Sequence, residues 1–143
     1  MARSLTVTEG RDAILKTFKD VWDMTGYLAQ YDGTAGEPPN QTDPWARIIV
    51  RHVSGQSATL GNVQGKRSFL RNGTVTVQLF DKANRDGLSE LDVLANDVLK
   101  GYEKPSDPCH GVWYRNARLN EVGQNGDWFQ FNVIAEFSYH EVH

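Results

Sequence analysis

The sequence predicts an α+β domain, with one four-stranded mixed or antiparallel sheet carrying two helices on one face, in the order α-β-β-α-β-β with a long β-hairpin loop. Three observations carry this. Residues 128–140 alternate without a break: Phe129, Phe131, Val133, Ala135, Phe137 and Tyr139 fall on one side, Trp128, Gln130, Asn132, Ile134, Glu136 and Ser138 on the other. That is the period of a strand with one buried face. Two other stretches, near residues 14–25 and 91–102, repeat their apolar residues at spacings of three and four, the period of a helix with one buried stripe. The chain of 143 residues fits a single domain over 1–143 and is long enough to bury a core without cross-links.

In chain order, helix one is expected over residues 8–25, with Ile14, Leu15, Phe18, Val21, Trp22 and Thr25 as its stripe. Thr8 is the expected N-cap, Glu9 suits the first turn, and Gly26 is a natural stop. Residues 27–44 read as a long connection, rich in Gly and Pro, whose first part has room for a short strand through Tyr27, Leu28 and Tyr31. Strand one covers residues 45–53 and carries apolar groups on both faces. Residues 54–66 hold three glycines but lack the Gly-Lys-Ser/Thr of a phosphate loop, so they read as the tip of a hairpin. Strand two runs to Phe80, with a turn or bulge at Asn72-Gly73 and Val75, Val77 and Leu79 alternating with Thr74, Thr76 and Gln78. Helix two begins at Ser89, where Asp92 approximates a capping box, and its stripe is Leu91, Leu94, Ala95, Val98, Leu99 and Tyr102. Strand three covers 112–122, with Arg115 and Arg118 on opposite faces by strict alternation. Gly123-Gln124-Asn125-Gly126-Asp127 is a hairpin turn into the last strand.

Composition excludes several classes of function. A net charge of −3 supplies no global attraction for nucleic acid. Apolar runs fall well short of the roughly 20 residues that span a bilayer. The start of the chain lacks the apolar core expected of a secretory signal. Cys109, the single cysteine, rules out an intrachain disulfide and fits a reducing cytoplasm or an assembly built there. The histidines at 52, 110, 140 and 143 have no zinc spacing, Asp32, Glu37 and Asp43 lack an EF-hand pattern, and no serine sits in a nucleophile elbow. No catalytic residue, cofactor or metal is therefore expected.

One stretch adds a resemblance. A strand ending in Arg51-His52-Val53-Ser54 is followed by Arg67-x-x-x-Arg71-x-Gly73-x-Val75-x-Val77-Gln78-Leu79-Phe80, then Gly87 and a helix striped with Leu, Ala and Val. Over Asp12 to Tyr139 this order and text resemble the tail terminator, or tail completion, proteins of long-tailed bacteriophages, with the fold of the lambda-type terminator. The resemblance implies a structural virion protein and no enzyme. Its copies form a ring, expected to be a hexamer, that caps the tail tube, stops its growth and provides the surface joined to the head. Implied partners are further copies of the chain, the tube protein and head–tail connector proteins. DNA only passes through the lumen, without sequence-specific contact, and no membrane is involved. The implied location is the head-proximal end of the tail, assembled in the host cytoplasm.

A ring subunit needs contact surfaces instead of an active site. The candidate interface residues are Trp45, Arg47, Arg51, Gln56, Leu60, Val63, Lys66, Arg67, Arg71, Arg115, Arg118 and Trp128, with both tryptophans taken as exposed anchors. Alternative readings are a head–tail connector or stopper of the same virion, and a small ligand-binding domain with its pocket between sheet and Gly-rich loop.

Overall fold

The computed structural model describes residues 5–31, 43–57, 68–82, 89–104 and 111–142. Helix α1 (Val7–Trp22) ends in a 3-10 turn (Asp23–Thr25) and leads into strand β1 (Leu28–Tyr31). Strands β2 (Trp45–Ser57) and β3 (Ser68–Lys82), helix α2 (Ser89–Glu103), and strands β4 (Trp113–Asn125) and β5 (Trp128–Val142) follow. The sheet has the order β1-β2-β3-β5-β4, so the two 15-residue strands β3 and β5 pair side by side at its centre. All pairs are antiparallel except β1 with β2.

The sheet thus has five strands where the sequence predicts four. The extra strand, β1, is four residues long and pairs in parallel, so no hairpin turn announces it. Tertiary contacts hold it: the Trp22 indole N–H donates to the Leu28 carbonyl at 3.2 Å, and Tyr31 meets the Phe18 ring edge-on at 6.2 Å. The first helix is capped two residues earlier than expected. Thr6 is the N-cap; its hydroxyl accepts from the Glu9 N–H while the Glu9 carboxylate accepts from the Thr6 N–H, both at 3.1 Å. Gly26 does stop the element, in the left-handed region at φ 74°. Helix α2 begins at Ser89, where the sequence predicts its start.

The core lies between the helices and one face of the sheet. Ile14, Phe18 and Trp22 of α1, and Leu91, Leu94, Ala95, Val98 and Tyr102 of α2, are buried against Ile48, Val50, Val75, Val77, Leu79, Phe131, Val133, Ala135 and Phe137. Each of the Val, Leu, Ile and Phe side chains among them stabilises the fold by about 1.5–3 kcal/mol relative to exposure. Polar bonds set the pose of the helices: the Tyr102 hydroxyl donates to the Ile14 carbonyl at 3.1 Å, and the hydroxyls of Thr17 and Tyr114 are 3.0 Å apart. Burial pushes the Tyr114 phenol up to about 12, so it stays a neutral hydrogen-bonding group.

Gly73, within the motif that carries the resemblance, has a packing reason. It continues the strand, and a Cβ there would run into the Arg51 carbonyl oxygen and the Phe137 ring. The irregularity expected at Asn72-Gly73 lies on the opposing strand, where the register shifts between His52 and Ser54.

Candidate assembly interface

No described helix lies on the second face of the sheet. Its rows run Trp45, Arg47, Ile49 and Arg51 on β2, then Phe80, Gln78, Thr76, Thr74 and Asn72 on β3, then Trp128, Gln130, Asn132, Ile134, Glu136 and Ser138 on β5. Period-two alternation places these side chains opposite the core set on the same strands.

One end of this face is aromatic and cationic. Trp45 stacks on Phe80 with centroids 4.2 Å apart, and Trp128 meets Trp45 edge-on at 6.3 Å. The Lys82 ammonium lies 4.9 Å from the Trp128 ring centroid and the Arg47 guanidinium 5.5 Å from that of Trp45. Trp45 is 3% exposed, so it is not the exposed anchor the sequence predicts. It is a packed support for Phe80 and half-buried Trp128, because its cross-strand partner and the neighbouring ring enclose it. The Trp45 indole nitrogen and the Gln78 side-chain oxygen are both buried without a hydrogen-bond partner.

The other end is a guanidinium cluster. A bulge on β4 between Arg115 and Arg118, with Asn116 at φ 52°, shifts the alternation. Arg115 then pairs with Glu136 and Arg118 with Ile134, so both arginines stand on the same face, correcting their predicted separation. They share one carboxylate: Glu136 lies 3.4 Å from Arg115 and 3.8 Å from Arg118. Glu136 also accepts from the Asn116 amide at 2.7 Å, and this bond, with the two guanidiniums, holds its carboxyl below the usual range. Two cations facing one anion leave this end with surplus positive charge.

A further cluster, missed in the sequence, lies on the helix side where β2, β3, β5 and α1 meet. The His52 Nε2 is 2.6 Å from the Tyr139 hydroxyl, and Nδ1 is 3.5 Å from Arg11. Arg71 is paired here with Glu141 at 2.8 Å instead of standing at a rim. Burial, reinforced by Arg11 and Arg71, lowers the His52 pKa. No spacing links residues 11, 52, 71 and 139, so only the register of the sheet brings them together.

The structure therefore brings Trp45, Arg47 and Trp128 to one end of the uncovered face and Arg115 and Arg118 to the other, with Arg51 exposed along β2. Arg71 stands apart from them. Leu60, Val63, Lys66 and Arg67 lie outside the described residues, as do Cys109, Asp32 and Glu37; Gln56 is placed only as a residue of β2. Among the described residues no three His, Cys, Asp or Glu side chains are grouped to hold a metal ion, and no helix is long and apolar enough to cross a membrane.

No family model and no curated protein matches the chain. Solved structures do. The chain is similar to the sheath/tube terminator of an extracellular contractile injection system, PVC, seen by cryo-EM in the extended state, with TM-score 0.62 and 7% sequence identity. This is a terminator-like fold. The likeness covers 99% of this chain and 58% of the terminator, so the chain spans little more than half that protein's length. A second solved chain, whose description states no function, matches at TM-score 0.56 and 12% identity over 90% of this chain and 94% of its own. At such identities the shared property is the fold alone.

Proposed function

We propose that the protein is a tail terminator: a structural virion protein whose copies form a hexameric ring that caps the tail tube, stops its growth and offers the head-joining surface. The observation that carries this reading is the terminator-like fold running through 99% of the chain. The distribution of chemistry supports it. One rigid sheet displays an aromatic, cation-bearing end and a guanidinium-rich end on a face that no described helix covers, which suits contact with other proteins along a broad surface. The partners are further copies of the chain, the tube protein and head–tail connector proteins. DNA crosses the lumen, and Arg47, Arg51, Arg115 and Arg118 meet it, if at all, only through its phosphates. The protein resides at the head-proximal end of the tail after assembly in the host cytoplasm.

The test is to delete the gene from the particle-producing genome and image the products. Tails of aberrant length that stay unjoined to heads, restored by supplying the protein in trans, are expected. Particles of normal length and infectivity would overturn the reading. Tails of normal length that merely fail to join heads would make the protein a connector or stopper.

A further inference from the structure

The uncovered face of the sheet holds its arginines in two rows. On β2, Arg47 and Arg51 stand either side of half-buried Ile49. On β4, Arg118 and Arg115 stand opposite Ile134 and Glu136 of β5. Between the rows run β3 and β5, where Gln78, Thr76 and Thr74 face Asn132, Ile134 and Glu136. The strip is therefore mostly amide and hydroxyl, with Ile49, Thr76 and Ile134 in one line across its middle. Its charge is one-sided. Among the described strand residues that alternation places on this face, Arg47, Arg51, Lys82, Arg115 and Arg118 are cations and Glu136 is the one carboxylate. The whole chain is at −3, so the balancing acids lie elsewhere. A face of this sign is complementary to an anionic partner.

Spacing selects the shape of that partner. β3 and β5 separate β2 from β4, so the two rows stand about 14 Å apart. A helix with its side chains is about 10–12 Å across. Laid along β3 and β5, it fills the strip and brings a flank to each row. Arg115 and Arg118, beside Glu136 and Ile134, are about 7 Å apart along the sheet, and helix residues four apart are separated by about 6 Å. Arg47 and Arg51 are about 13 Å apart along β2, within side-chain reach of acids two helical turns, about 11 Å, apart. Other occupants fit less well. The exposed sides of α1 and α2 mix signs: Lys16, Lys19 and Lys100 stand among Asp20, Asp92 and Asp97, so a second copy docked by its helices would set lysine against arginine. A nucleic acid would lay phosphates beside Glu136 and leave Ile49 and Ile134 without an apolar cover.

We propose that the strip between the arginine rows is the docking site for an acidic amphipathic helix of a partner protein. The apolar stripe of that helix lies on Ile49 and Ile134; its carboxylates meet Arg47 and Arg51 along one flank and Arg115 and Arg118 along the other. Glu136 already draws Arg115 and Arg118 together, so part of the cost of ordering them is met before docking. The docking stands on this face alone and does not depend on tube capping.

The experiment uses the full chain and a synthetic peptide of about 18 residues, long enough to hold a helix, with a leucine stripe flanked by glutamates. Fluorescence anisotropy at low salt is expected to show saturable binding that weakens as salt is added, and circular dichroism to show the peptide gaining helix. Arg51→Glu and Arg118→Glu, both at exposed positions, are each expected to weaken binding by about tenfold, with thermal melts like the parent's as the check on folding. The double variant is expected to bind the same peptide with lysines in place of glutamates, which the parent refuses. Absence of saturable binding by the parent overturns the proposal, as does undiminished binding by both single variants, an equal loss from Lys100→Glu on α2, or a double variant that does not swap its preference. Equal binding of a peptide whose helix is broken by central prolines overturns it as well. An oligothymidylate bound more tightly than the peptide would make the strip a nucleic-acid surface, and self-association that sedimentation shows to be lost in Arg118→Glu would make it a contact between copies; either result overturns the docking.

Discussion

The His52 imidazole and the Tyr139 hydroxyl are 2.6 Å apart, beneath the first turns of α1. The Arg11 guanidinium stands 3.5 Å from the other ring nitrogen and has only hydrogens to offer. An acceptor at Nδ1 suits Arg11, and the tautomer that provides it carries its hydrogen on Nε2, toward Tyr139, in a neutral ring. Gly10 makes the junction possible, because a Cβ there would strike the Tyr139 ring.

A pH dependence follows. The folded pKa of His52 is lowered by burial first, then by Arg11 and Arg71, while Glu141 opposes the shift. As pH falls through the unfolded value of about 6.5, the unfolded chain takes up a proton that the folded chain refuses. The stability owed to a neutral His52 is therefore complete above that value and lost on acidification. Urea midpoints should rise from pH 5.5 to 7.5 in the parent and rise less in His52→Gln; parallel profiles would refute the assignment.

Gly73→Ala should destabilise by about 1–3 kcal/mol, the usual cost of forcing atoms into a packed core. The new methyl meets the Arg51 carbonyl oxygen and Phe137 together, so neither neighbour alone can relieve it. A variant as stable as the parent in urea would show that β2 and β3 part more easily than the register implies.

Trp45 offers a paired comparison. Trp45→Phe keeps a ring on Phe80 and removes the unpartnered indole N–H, so it should cost less than full truncation. Trp45→Ala should cost about 3–5 kcal/mol. Equal losses would mean that the N–H, not the ring, holds this end of the sheet.

At Asn116 the usual ranking of Ala and Gly in a strand should invert. The residue sits at φ 52° and its amide donates to Glu136 at 2.7 Å. Ala and Gly both lose that bond, but Ala also meets a left-handed penalty of about 1–2 kcal/mol. Asn116→Gly should therefore be the more stable of the two by denaturant titration, and the reverse order would exclude the bulge.

Replacing residues 58–68 by Asn-Gly should leave a folded protein, since Ser57 and Phe69 already face each other across the hairpin. Particles carrying it should fail to complete tails if this segment touches the tube or a neighbour. Normal tails joined to heads, seen by electron microscopy, would remove that role.

Most of the layered fold was legible because its signals are periodic. The unbroken alternation from Phe129 to Tyr139 and the stripe from Leu91 to Tyr102 mark their buried faces without ambiguity. What escaped has a local cause in each case. β1 is too short for a period to show, and its parallel partner lies 17 positions away at Leu28 and Trp45. The β4 bulge inserts residues that alternation cannot count, so Arg115 and Arg118 changed relative sides. Trp45 looked exposed because sequence shows neither Phe80 nor Trp128 beside it. The His52 cluster draws on four elements and is written nowhere as a motif.

Each of the two central strands is longer than helix α2, which packs on them. Fifteen residues of strand reach about 50 Å, while the 15 residues of α2 rise about 22 Å. The pair forms one continuous beam, stiffened by its own ladder of hydrogen bonds. Such a beam yields little along its strands, so a load applied at one end is delivered to the other. A part clamped between two stacked assemblies would transmit their alignment through this ribbon and leave the helical layer undisturbed.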